Sequence, residues 1–235
     1  MNRNEAMLCA VVAQGTYVNR CDDSNFRLFA RFDNKGTDTQ GFAGDAFGDT
    51  FLIGFRGSEE TGTADWITDL KFVLSAYPFV PAGTGLVKVH YGFIEAFSSV
   101  RDAILQMARD SKQTKVLTTG HSLGGALAIL AALDIRQNIP DKQVSCYTFG
   151  SPKVGDPAFA NFYNGLVPNT FRIVNDADII PTIPPVGYAH VGQLYHLQPS
   201  ETDSGGLVEA VTKRVSDHLP NNYIAALDKF LRSEG

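Results

Sequence analysis

From Phe26 to Phe32 apolar and polar side chains alternate, and the run stops at Asp33, Asn34, Lys35 and Gly36. That pattern predicts a half-buried strand followed by a turn, with a second strand near Gly41. Thr50 to Phe55 is different: it is apolar almost throughout and ends at Arg56, Gly57 and Ser58, as in a strand covered on both faces at the centre of a sheet. Ahead of these strands, the apolar stretch Ala6 to Ala13 predicts a helix in the core. Gly92 to Asp110 carries apolar residues at Phe93, Ile94, Phe97, Val100, Ile104 and Met107, a helical spacing. Strand and helix then alternate: Val116 to Thr119 as strand, Leu123 to Gln137 as helix, Val144 to Phe149 as strand, Pro157 to Tyr163 as a short helix. Phe171 to Val174 and Gly192 to Leu197 follow as strands, and Tyr223 to Leu231 closes as an amphipathic helix. This alternation predicts one α/β domain with a mostly parallel sheet flanked by helices. Between Glu59 and Tyr91 glycine, proline and aromatic residues interrupt the pattern, apart from a short amphipathic piece around Trp66, Ile67, Leu70 and Phe72. That stretch reads as a long functional loop.

Composition narrows the picture. With 44% apolar and 19% charged residues the chain is globular and not disordered. A net charge of -5 without a Lys/Arg cluster argues against a nucleic-acid partner. Three cysteines leave at least one unpaired in a monomer, and Cys9 and Cys21 are the pair that a bridge would join. His190 and His196 lack a third ligand nearby, so no metal site is expected. Eight apolar residues behind Arg3 fall short of a membrane span, and Gln14-Gly15 makes a poor cleavage site, so the stretch is expected to be a core helix and not a leader.

Gly120-His121-Ser122-Leu123-Gly124 matches GxSxG. The bare pattern turns up by chance in about one chain in ten of this length, so its placement decides its value. Here it joins a predicted strand directly to a predicted helix, a turn so tight that the positions two before and two after the serine must lack side chains. The serine oxygen then projects above the sheet, facing the amides at the start of the helix. A serine hydroxyl needs a base to take its proton and a carboxylate to orient that base. Both should come after Ser122 in the chain, acid first. His196 lies inside a predicted strand and His190 just ahead of it, whereas His218 falls in the loop after the last strand, where a base reaches the carboxyl ends of the strands. For the acid, Asp176 and Asp178 both come after Phe171 to Val174, and spacing does not choose between them.

The chain resembles the fungal-type, class 3 lipase family of the α/β-hydrolase superfamily from about Phe26 to Leu231. The signposts come in order: Phe55-Arg56-Gly57-Ser58, Trp66 with Asp69-Leu70, His90-Tyr91-Gly92-Phe93, and Gly120 to Gly125. Phe149-Gly150-Ser151-Pro152-Lys153-Val154-Gly155-Asp156, Asp178-Ile179-Ile180-Pro181 with Pro184-Pro185, and Asp217-His218 complete the set. The resemblance implies an α/β-hydrolase fold with a lid segment after the third strand. It implies Asp178 as the acid, His218 as the base, and the backbone amides of Ser58 and Leu123 as the oxyanion hole, with the Ser58 hydroxyl as an additional donor. It places a lid at Glu59 to Phe72, with Trp66, Ile67 and Leu70 as its apolar face and an acidic, glycine-containing hinge that departs from the family pattern.

The chemistry these residues imply is acyl transfer: Ser122 attacks an ester carbonyl, His218 takes and returns the proton, and water releases the acid. No cofactor is called for. Expected substrates are acylglycerols or other carboxylic esters, met at a lipid–water interface. Phospholipase and feruloyl-esterase activities are variants of the same class. A non-catalytic hydrolase-like binding protein and a protease are the readings from other classes. The resemblance also suggests secretion.

Overall fold

The computed structural model describes residues 1–57, 72–176, 178–197 and 216–233. Among these, seven strands form one sheet: β1 (Phe26–Asn34), β2 (Thr39–Ala46), β3 (Thr50–Phe55), β6 (Lys115–His121), β7 (Gln143–Phe149), β8 (Thr170–Asn175) and β9 (Gln193–Leu197), in that order across it. β1, β2 and β3 pair antiparallel, and every later neighbour is parallel. The predicted central strand Thr50–Phe55 is buried at each of its residues. Two short strands outside this sheet, β4 (Leu74–Ala76) and β5 (Lys88–His90), pair with each other inside the stretch read as loop.

Helices cover both faces. On one, α1 (Arg3–Gly15) lies against β3, β6 and β7 beside α6 (Pro220–Ser233). Asn2 starts α1 by accepting from the amides of Asn4 and Glu5, and Ala6, Leu8, Cys9, Val12 and Ala13 are buried against the sheet, so the apolar stretch is a core helix. On the other face, α4 (Leu123–Asn138) is buried from Gly124 to Ile135. A helix apolar on all sides must be enclosed, and it runs between the sheet and an outer layer of α2 (Tyr91–Ser98), α3 (Arg101–Asp110) and α5 (Pro157–Leu166).

The helix expected from Gly92 to Asp110 is therefore two. Its break has a cause: the Ser99 carbonyl accepts from Asn34 Nδ2 (3.2 Å) and the Ser99 hydroxyl bonds to Thr37 (2.7 Å), drawing that turn toward the β1–β2 hairpin. The three cysteines are free thiols, Cys9 and Cys146 buried, so no bridge joins Cys9 to Cys21. No helix among the described residues is long and apolar enough to cross a membrane.

Candidate active site

β6 passes into α4 at Ser122, whose backbone takes φ 58° and ψ -128°, a combination that L-residues rarely adopt. A Cβ on Gly120 would fall 2.2 Å from the Gly124 carbonyl, and one on Gly124 would fall 2.3 Å from the Phe55 oxygen. The turn closes only because both lack side chains, as the motif requires. The Ser122 amide donates to the Phe149 carbonyl (2.9 Å) and so fixes the turn to β7. Leu123 opens α4, where amides have no acceptor within the helix. Gly57 abuts the turn as well: a Cβ there would lie 3.2 Å from Ser122 Cβ. Ser58 and Glu59 to Lys71 lie outside the described residues, so the Ser58 donor and all of the expected lid except Phe72 fall there too.

The residue after Phe149 links the serine to the other two predicted side chains. Gly150 has φ 59°, and a Cβ on it would fall 2.7 Å from Asp178 Oδ2 and 2.9 Å from His218 Nδ1. Those two atoms are themselves 2.8 Å apart, with Asp178 and His218 only 4% and 3% exposed. A carboxylate only accepts, so His218 Nδ1 carries the proton and Nε2 is left with the lone pair a base needs. Among the described residues Nε2 is buried without a hydrogen-bond partner, and it makes no bond to Ser122 in this conformation. Bonds of this kind often tighten only when substrate binds.

Asp178 is the aspartate that reaches His218. Its amide donates to the Asn175 carbonyl and its Oδ1 accepts from the Ile180 amide (both 2.9 Å). Asp176 turns away at φ 33°, and its carbonyl faces His196 Nε2 (2.8 Å). His190 donates to the Pro181 carbonyl (2.7 Å), and burial together with the Arg172 charge pushes its imidazole down to about 4.

Three further side chains join the cluster. Tyr223, on the first turn of α6, donates to Asp178 Oδ2 (2.5 Å) and accepts from the Asn175 amide (3.1 Å). Burial and the adjacent Asp178 charge raise its hydroxyl well above the ordinary phenol range, so it stays a donor. His121, the unspecified residue of GxSxG, lies with its ring centroid 4.5 Å from that of His218, and its Nε2 is 2.5 Å from the His218 carbonyl. Tyr17, just past α1, meets His121 Nδ1 at 2.8 Å. Sequence reasoning passed over all three. The available signal was their position: His121 beside the serine and Tyr223 five residues after the histidine.

A family model described as Lipase (class 3) matches residues 52–188, more than half of the chain. This chain belongs to the class 3 lipase family. Its sheet and flanking helices are accordingly an α/β-hydrolase fold. A lipase of Rhizomucor miehei is 39% identical over 164 residues, which cover 66% of this chain and 44% of that lipase. Secreted mono- and diacylglycerol lipase 1 of Fusarium solani is 34% identical over 176 residues, covering 72% of this chain and 50% of that protein. The class 3 chain thus spans about half the length of these relatives. A solved structure, described as one in which a serine protease triad forms the catalytic centre of a triacylglycerol lipase, is 28% identical with a TM-score of 0.74, and 92% of each chain is covered.

Proposed function

We propose that this chain is a serine carboxylic ester hydrolase that cleaves acylglycerols through an acyl-enzyme. The observation that carries the reading is the buried Asp178–His218 pair packed on Gly150, one residue from the carbonyl that fixes the Ser122 turn. In this reading Ser122 Oγ attacks the ester carbonyl as His218 Nε2 takes its proton. The oxyanion forms against the amides of Leu123 and Ser58, donors of a kind worth about 2.7–4 kcal/mol each. His218 then protonates the leaving alcohol, and water repeats the sequence to free the fatty acid. Asp178 holds the Nδ1–H tautomer throughout. The Glu59 to Phe72 segment is proposed as a lid over this site.

A lipid surface as the place of action is supported by a group of exposed apolar side chains. Phe72, Val73, Tyr91 and Val186 are exposed, the Tyr91 amide binds the Val73 carbonyl, and Leu74 lies within 3.9 Å of a Cβ built on Gly187. Exposed apolar side chains on neighbouring segments suit contact with an apolar partner. Relatives named as secreted lipases support export of this chain, and recovery of its ester hydrolysis in culture medium would test that.

The deciding experiment measures initial rates on p-nitrophenyl esters from acetate to palmitate, with Ser122→Ala beside the wild type. Ser122→Ala should lower kcat by roughly 10⁶-fold. Rates peaking at long chains indicate a lipase and at short chains an esterase. Absence of any Ser122-dependent rate sinks the reading and leaves a hydrolase-like binding protein.

A further inference from the structure

His121 has no part in the chemistry just described, yet it is placed with more care than its position in the motif requires. It is 3% exposed and enclosed by α1 and α6: Ala10, Ala13 and Gln14 on one side, Pro220 and Tyr223 on the other. The ionisable groups facing it are Tyr17, His218 and Tyr223, with Asp178 behind the last two. Both of its nitrogens are engaged, and the partners settle the proton. The His218 carbonyl can only accept, so His121 Nε2 carries the hydrogen. Burial and the neighbouring His218 hold the His121 imidazole well below its ordinary range, so the ring is neutral and Nδ1 is an acceptor. Tyr17 is then the donor to Nδ1.

Resting on the reading of His218 as base, we infer that His121 is a positioning residue that holds the base by its main chain, with Tyr17 fixing the His121 tautomer. Asp178 orients the His218 ring from one side, and a ring needs a second, independent anchor to fix where its Nε2 points. Asn175 Nδ2 holds the preceding carbonyl, that of Asp217, at 2.9 Å. His121 supplies the anchor at His218 itself, from the residue next to the nucleophile. Ser122 and His218 are thereby referenced to each other through one side chain. The neutral ring also meets the imidazolium that forms during turnover without adding a charge.

The test compares His121→Leu, His121→Gln and Tyr17→Phe with wild type, using kcat per active site titrated with an organophosphonate. It adds the proton resonance of the His218 Nδ1–H bond to Asp178. Leu removes the donor and should lower kcat about tenfold with KM within about twofold. Gln, which offers an amide hydrogen at nearly the same reach, should recover most of that loss, and Tyr17→Phe should lose about threefold. The Nδ1 proton signal should move in His121→Leu and return in His121→Gln. Unchanged kcat per titrated site with an unmoved resonance overturns the inference, as does a folded His121→Gln no better than Leu. Should the Leu variant fail to fold, Tyr17→Phe decides by the same two readouts. A wild type that neither hydrolyses esters nor takes the phosphonate refutes the proposed function instead, and the resonance then still reports whether His121 holds His218.

Discussion

Asp178 and His218 touch each other but are held in different ways. The Asp178 backbone and Oδ1 are fixed by their own neighbourhood, through Asn175 at the end of β8 and Ile180 ahead, and Tyr223 of α6 adds one distant donor at Oδ2. His218 is held from afar: by Asp178 forty residues earlier, by His121 ninety-seven residues earlier, and at Asp217 by Asn175. The proposed acid, with its backbone built into a local turn, is placed once its strand is in place. The proposed base, hung from three distant residues on β6, on β8 and in the turn after β8, is set only when those strands are together, so damage to distant side chains should reach the base before the acid.

The largest effect should come from the contact between the two. Asp178→Asn keeps the local turn while removing the carboxylate that selects the His218 tautomer, and kcat should fall by about 10⁴-fold with the melting temperature nearly unchanged. A loss under about tenfold would show that His121 and Asn175 suffice to orient the base. Tyr223→Phe should act next. It takes one of two donors from Asp178 Oδ2 and leaves the Asn175 amide unpaired in the interior, so kcat/KM should drop about tenfold and stability by about 1–3 kcal/mol in urea titrations. A stability loss without a rate loss would make Tyr223 a packing residue only.

The smallest effect on turnover concerns pH, which acts on stability and weighs the two loops against each other. His190 staples the acid loop at Pro181 and His121 staples the base, both as neutral rings with depressed proton affinity. The unfolded chain takes up protons near 6.5, whereas folded His190 does so only near 4. The unfolded state thus binds more protons between those values. Stability should be fully present above about 6.5 and fall as pH drops through this window, by roughly 1.4 kcal/mol per unit from His190. His190→Gln, which keeps a donor for Pro181, should remove one group's share of the slope in urea titrations from about pH 4.5 to 7. An unchanged slope would assign the acid sensitivity elsewhere.

The same contrast explains what the sequence disclosed. Thr50–Phe55 was readable because an apolar run this short, set between Gly48-Asp49 and Arg56-Gly57, fits a buried strand and is too brief for a core helix, and the Ser122 turn was readable because its two glycines answer a steric demand. The split of α2 from α3 was hidden, since it depends on Asn34 and Thr37, far away in the chain. The β4–β5 pair was hidden because three-residue strands carry too little pattern. Asp178 could not be told from Asp176 by spacing and was chosen by the family resemblance; in the structure Asp178 reaches His218, whereas the Asp176 backbone is held by Leu197 and His196 of β9. Tyr223 read only as the first residue of an amphipathic helix, and nothing in a linear pattern says that a hydroxyl will meet a carboxylate forty-five residues away.

The left-handed backbone at Ser122 restricts which amino acids can occupy the proposed nucleophile's position, quite apart from reactivity. Threonine carries the same hydroxyl, but a second substituent on Cβ makes φ near 58° a severe outlier, whereas cysteine, unbranched and close in size, meets no such barrier. The repertoire at this site is therefore set by the tightness of a turn between β6 and α4, and exchange of one nucleophile for another is open to this fold only among unbranched side chains.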